Sequence, residues 1–119
     1  MAGTVTKVEI THTSLKEITW DWTSTGGGAA DLVTTNVYDG KIVGLGTVPH
    51  ATAPDPNYDV TVTNSAGLDV LLGAGANRHT TSTEYVDGSS LGGVAGSVLT
   101  VNITNAGGAK KGKVVLWIR

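Results

Sequence analysis

Gly112-Lys113-Val114-Val115-Leu116-Trp117-Ile118 is the stretch that decides the fold. Val114, Val115 and Ile118 are β-branched and Trp117 is aromatic, the residue types that suit a pleated, half-buried surface. Chain ends usually fray unless something ties them down. A run this apolar cannot remain solvated, so it is expected to be sewn into a sheet and to complete the core, making the chain one closed β unit.

Upstream, Thr4 to His12 and Leu15 to Thr23 read as two strands joined near Thr13-Ser14. In the second, Ile18, Trp20 and Trp22 fall on one face and Thr19, Asp21 and Thr23 on the other, the period of a half-buried strand. Gly26 to Ala30 breaks the order. Leu32 to Tyr38 and Lys41 to Val48 flank Asp39-Gly40, a dipeptide suited to a type I′ turn, and are expected to form an antiparallel hairpin. Pro49, Pro54 and Pro56 confine Pro49 to Asn57 to an extended loop. Alternation resumes at Tyr58, Val60 and Val62, and Ala66-Gly67 turns into Leu68 to Leu72. Gly73 to His79 is too glycine-rich to be regular. Thr83 to Val86 is a short strand closed by Asp87-Gly88, Ser89 to Gly96 is expected to be flexible, and Leu99, Val101 and Ile103 alternate again before a turn at Asn105 to Lys111. The pattern predicts an all-β single domain over residues 1–119, a β-sandwich or jelly-roll-like arrangement of about nine short antiparallel strands. Met1 to Thr6 is expected to be partly an arm ordered only on binding, because Gly3 and its small neighbours offer no core contact.

With 119 residues the chain is long enough to bury roughly two thirds of its unfolded surface. Seventeen glycines and an excess of Thr and Val favour strands and turns over helices. A net charge of −2 provides no basic field for a phosphate backbone or an anionic membrane, so neither is an expected partner. Without cysteine, disulfides and thiolate metal sites are excluded. Met1 to Lys7 lacks the apolar stretch of a signal peptide, and the product is expected to be made and assembled in the cytoplasm; Asn102-Ile103-Thr104 then reads as strand and not as a glycosylation site.

The residues that carry chemistry do not form a familiar catalytic pattern. His12, His50 and His79 lack zinc-ligand spacing, and no GxSxG elbow is present. Asp55 and Asp59 straddle the proline loop as possible oxygen ligands for calcium, but without dense DxDxD order they read as solvated carboxylates. Gly73-Ala74-Gly75-Ala76-Asn77-Arg78 departs from both phosphate-binding patterns; its Asn77-Arg78-His79 tip suits close approach to another protein, or simply solvent. Trp20 reads as core, whereas Trp22 and Trp117 are open to core packing, interface anchoring or sugar stacking. Tyr38 and Tyr85 precede turns and read as structural, their rings packed and their hydroxyls wet. No catalytic centre, cofactor or metal is expected.

The stretches Ala109 to Arg119, Tyr38 to Leu45, Pro56 to Val62 and Asp69 to Arg78 resemble small virion structural proteins of tailed bacteriophages, over nearly the whole chain. The resemblance implies an all-β protein of the particle, most like a capsid decoration or cement protein. It implies the virion surface as location, the major capsid protein as partner, and a homotrimer at threefold sites, where many weak contacts act together. The same resemblance admits a neck, head-completion or tail component. A carbohydrate-binding module is a separate reading, with Trp22, Trp117 or Tyr58 stacking on sugars. For protein contact, the expected residues are Ala2, Gly3 and Thr4 in the arm, Trp22, the Asn77-Arg78-His79 tip, and Trp117 with Arg119.

Overall fold

The alternation in the second predicted strand builds the centre of the molecule, because every inward residue of Ile18, Trp20 and Trp22 is buried completely or nearly so. The computed structural model describes residues 3–119. Nine strands form two sheets: β1 (Thr4–His12), β2 (Leu15–Thr23), β3 (Ala30–Val33), β4 (Tyr38–Pro49), β5 (Asp59–Thr63), β6 (Glu84–Asp87), β7 (Gly93–Ser97), β8 (Thr100–Thr104) and β9 (Lys111–Ile118). The larger sheet has the order β1-β2-β9-β4-β6, with β7 also pairing β4, and the smaller has the order β3-β8-β5. All pairings are antiparallel. The architecture is sandwich-like, and nothing in this strand order supports a jelly roll.

The decisive stretch lies in the interior of the larger sheet, as β9, paired with β2 on one side and β4 on the other. Val114, Leu116 and Ile118 point inward and are fully buried. They meet Ile42 and Leu45 of β4, Val60 and Val62 of β5, and Val101 and Ile103 of β8 in one core. The first hairpin falls where the sequence places it, with Thr13 taking a left-handed φ of 53° at the turn.

Four expectations are corrected. Asp39-Gly40 is not a hairpin turn: β4 runs straight through it, and Gly40 sits at an irregularity in the β7 pairing with φ +131°. A Cβ at Gly40 would lie 1.9 Å from the Arg119 carbonyl oxygen, so this glycine serves close backbone approach. Leu68 to Leu72 is no strand, because the Asp69 carboxylate accepts bonds from the amides of Val62, Leu71 and Gly73 and winds the segment into turns. Ser89 to Gly96 is structured: Asp87 caps a 3-10 turn at Gly88–Ser90, and Gly93–Ser97 pairs with β4. The Lys41 ammonium donates to the Ile42, Gly88 and Leu91 carbonyls and pins that turn. Finally, Thr4 to Thr6 is not an arm, since Thr4, Val5 and Thr6 pair with Thr23, Trp22 and Asp21. Gly3 packs so closely that a Cβ would lie 2.0 Å from the Thr23 carbonyl oxygen; Met1 and Ala2 lie outside the described residues.

β1 is fastened to the rest by a polar clamp on its inner face. The Glu9 carboxylate accepts bonds from the Tyr38 hydroxyl at 2.7 Å and the Thr35 and Asn36 amides at 3.0 and 3.1 Å, with Lys7 at 3.6 Å. The Tyr38 hydroxyl is therefore bonded, not wet as expected. Burial would raise the Glu9 pKa, but the bonds from Tyr38, Thr35 and Asn36 and the charge of Lys7 outweigh it and hold the carboxyl below its ordinary value. A depressed carboxylate contributes stability that is complete above its unfolded value and is lost as pH falls through the folded one. Glu9→Gln is expected to cost about 1.5–3 kcal/mol at pH 7 and to flatten the acid limb of stability, as read by denaturant titrations between pH 7 and 3. An unchanged acid limb would show that the clamp is not formed in solution.

Deep in the core, Trp22 and Tyr58 pack with ring centroids 5.7 Å apart, and both are essentially inaccessible. Burial pushes the Tyr58 hydroxyl up to about 12, against the opposing influence of the Thr47 hydroxyl and Arg78, with a smaller push from Glu84. A raised tyrosine pKa means that the folded protein keeps a proton the unfolded chain gives up, so stability falls as pH climbs from the unfolded value toward the folded one. Tyr58→Phe is expected to remove part of the decline between pH 10 and about 12, measured against the parent chain. Identical alkaline curves would sink this expectation.

Candidate docking face

Strand parity, which buries Val114, Leu116 and Ile118, turns Val115 and Trp117 to the opposite face of the larger sheet. The register extends that face across the strands. Trp117 lies opposite Glu17 on β2 and Gly44 on β4, and Val115 lies opposite Thr19 and Gly46. Beyond Gly46, β6 contributes Tyr85, and at the far side β1 contributes Val8 opposite Thr19 and Ile10 opposite Glu17. Tyr85 is 64% exposed, Val8 55% and Ile10 42%. The outer surface therefore carries an apolar cluster of Tyr85, Trp117 and Val115, separated by Glu17 and Thr19 of β2 from a second apolar pair, Val8 and Ile10.

The aromatic cluster is built with care. Tyr85 and Trp117 pack at 5.9 Å between centroids with planes tilted by 52°. Both lie over glycine: a Cβ at Gly44 would come within 2.7 Å of the Tyr85 hydroxyl oxygen and 3.0 Å of Trp117 Cε3. Gly46 makes room beside the outer edge of the indole, where a Cβ would sit 3.5 Å from Trp117 Cη2. The indole Nε1–H donates to Glu17 Oε2 at 3.0 Å, while His12 Nε2 and Glu17 Oε1 lie 3.3 Å apart. The Tyr85 hydroxyl donates to the Val43 carbonyl at 3.3 Å. Both rings are thus held in place, which lowers the entropic cost of presenting them to a partner.

A groove of about 240 Å³ runs beside the pair, lined by Leu15, Val43, Tyr85, Trp117 and Arg119. A second, of about 250 Å³, is lined by Asp21, Val48, Pro49, His50, Gly112 and Lys113. Asp21, Lys113 and Val48 stand opposite one another in the register of β2, β9 and β4, further along the same sheet. The face mixes aromatic and aliphatic residues with charged ones, Glu17 among the apolar groups and Asp21 and Lys113 further along.

Of the contact residues expected from sequence, only Trp117 and Arg119 meet here. Trp22 is 1% exposed and belongs to the core, because its parity matches Trp20 and Ile18; this corrects both its interface role and its sugar-stacking role. Tyr58 is fully buried and leaves the stacking set for the same reason. Gly3 and Thr4 sit by Thr23, at the end of the first hairpin away from its turn. The Asn77-Arg78-His79 tip lies elsewhere and is held by its own bonds. Arg78 donates to the Ala76 carbonyl and lies 3.7 Å from Glu84, the Asn77 amide donates to Asp59, and His79 Nδ1 accepts from the Thr81 and Ser82 amides. Asp59 also accepts from Asn105 at 2.7 Å. Among the described residues, no three His, Asp or Glu side chains gather as metal ligands would.

Sequence reasoning passed over Tyr85, Val8, Ile10, Gly44 and Gly46. A signal was available in Gly44-Leu45-Gly46, because two glycines at strand period with a large apolar residue between them mark a face where something else lies close. No protein-family model, curated protein or solved structure matches the chain.

Proposed function

We propose that this chain is a non-enzymatic structural protein of a tailed-phage virion that decorates the outer capsid and stabilises the head. The observation that supports this reading is the preorganised Tyr85 and Trp117 pair, flanked by Val115 and, across Glu17 and Thr19 of β2, by exposed Val8 and Ile10, on one broad sheet face. Such a face suits a second rigid surface, and the resemblance of four stretches to phage virion proteins leads us to assign that surface to a shell of major capsid protein. The C-terminal stretch of the resemblance supplies Trp117 and Arg119 to this face directly. On a shell, repetition at symmetric sites, with three copies at each threefold position, turns modest single contacts into tight attachment.

The test is to mix the purified chain with particles of a phage that encodes it and to count bound copies. Copies on the order of hundreds, with greater resistance of the particle to heat and osmotic shock, are the expected result. A dozen or fewer would assign the chain to the neck or tail. Particles that withstand heat equally well without it would remove the stabilising role.

A second reading rests on the Tyr85 and Trp117 pair, whose open rings beside a shallow groove also suit stacking on a sugar ring. Binding on a glycan array that Tyr85→Ala abolishes would favour it; no binding with or without calcium would dispose of it.

A further inference from the structure

The larger sheet ends in β1, nine residues long and paired along its whole length with β2. Its other edge is bare: among the described residues, no backbone hydrogen bond joins β1 to anything but β2. The remaining edge strands are much shorter, with four or five residues in β3, β5, β6 and β7. Proteins protect long edges with proline, bulges or outward lysines, since an open row of N–H and C=O groups templates pairing with another chain. β1 lacks these three devices; the inward-pointing charges that also blunt edges are present in Lys7 and Glu9, but both are satisfied within the chain and leave the backbone edge itself unpaired. It contains neither proline nor glycine, its register is unbroken, and its one lysine is turned inward, with the Lys7 ammonium bonded to the Val33 carbonyl at 2.9 Å and the Thr35 hydroxyl at 2.7 Å.

We propose that β1 is the contact through which two copies of this chain join, edge to edge and antiparallel about a two-fold axis at Val8. A two-fold axis perpendicular to the sheet keeps outer faces outer, so opposed residues share parity and their numbers add to an even total. Three registers keep most of the strand paired, and charge chooses among them. Centring on Lys7 sets Lys7 against Lys7, and centring on Glu9 sets Glu9 against Glu9; like charges directly opposite are unfavourable. Centring on Val8 sets Lys7 of each copy against Glu9 of the other, Val8 against Val8, and Ile10 against Thr6. Opposite charges then stand across the inner face, each already bonded within its own copy, so no like-charge contact arises, and the half-exposed Val8 gains an apolar partner. The dimer would continue the outer face of both copies as one surface. This contact belongs to the free chain and does not depend on what that face binds or on how many copies occupy a capsid site.

The full chain in sedimentation equilibrium is expected at twice 12.1 kDa, dissociating on dilution. Val8→Lys, at an exposed position, is expected to raise the dissociation constant roughly tenfold or more while leaving the far-ultraviolet spectrum and melting temperature of the monomer unchanged. Because the chain has no cysteine, the register can be read by oxidation. Val8→Cys is expected to cross-link, as directly opposed Cα atoms lie about 4.5–5.5 Å apart, within disulfide reach. Ile10→Cys is expected not to, its two copies lying roughly 14 Å apart. A monomer at high concentration, a dimer indifferent to Val8→Lys, or equal cross-linking at both positions would each overturn the proposal.

Discussion

Gly40→Ala is expected to lower the free energy of unfolding by about 3 kcal/mol or more, a large part of the ~5–15 kcal/mol that holds a domain of this size. Two effects add. At φ +131° an L side chain is strained, and the new Cβ would sit 1.9 Å from the Arg119 carbonyl oxygen and 2.9 Å from its carbon. Those are backbone atoms, which cannot swing aside as a side-chain tip can. The Lys41 and Arg119 backbones exchange hydrogen bonds at 3.1 and 2.9 Å in the same place, so relief by moving the strand end would break that pair. Gly67→Ala is the control. Its φ is +85° but a Cβ there meets nothing within 4 Å, so only the conformational cost of about 1–2 kcal/mol is expected. Denaturant titration of both variants separates the effects. Equal losses would mean that the close approach at Gly40 does not exist in solution.

That glycine also marks where sequence reasoning reaches its limit. Aspartate before glycine is a strong turn signal because it reports a local tolerance for positive φ, and Gly40 does have positive φ. The tolerance is used against a distant partner, Arg119, which no local window contains. Elements whose pattern is complete within themselves were legible: β2 follows from alternation and β9 from its apolar, β-branched content, while β1 was read with its observed bounds but its first three residues also as an arm, which their pairing with β2 overturns. Leu68 to Leu72 looked like a strand because its apolar content is real, with Val70 and Leu71 buried, yet the Asp69 carboxylate competes for the amides and takes them. The docking face was half legible. Trp117 could be singled out as a large aromatic at a strand end, but Tyr85 and the β1 residues join it only through the strand order β1-β2-β9-β4-β6, which turn signals do not encode.

Trp22→Ala and Trp117→Ala are expected to fail in opposite ways. Trp22 is enclosed: its ring packs on Tyr58, and Gly112 is so close that a Cβ there would lie 2.8 Å from the indole. Truncating it leaves a cavity the sheets cannot close without moving, a loss of about 3–5 kcal/mol, read as a much lower denaturation midpoint. Trp117 is half-buried on the outer face, with Glu17 and Tyr85 as its main company. Removing it is expected to cost only about 1–2 kcal/mol of stability, since solvent already reaches the site. Under the proposed function its loss should instead appear in attachment to the capsid, weakened at least roughly tenfold at a temperature where the variant is fully folded, as for an anchor at the centre of an interface. If Trp117→Ala binds normally, the outer face is not the docking surface, whatever its stability. The distinction between two tryptophans of one sheet comes from parity and register alone. Trp22 stands opposite Gly112, an inward position of β9, whereas Trp117 stands opposite Glu17, an outward position of β2. One side of the sheet holds the molecule together, and the other carries the held Tyr85 and Trp117 pair that the proposed function assigns to a partner.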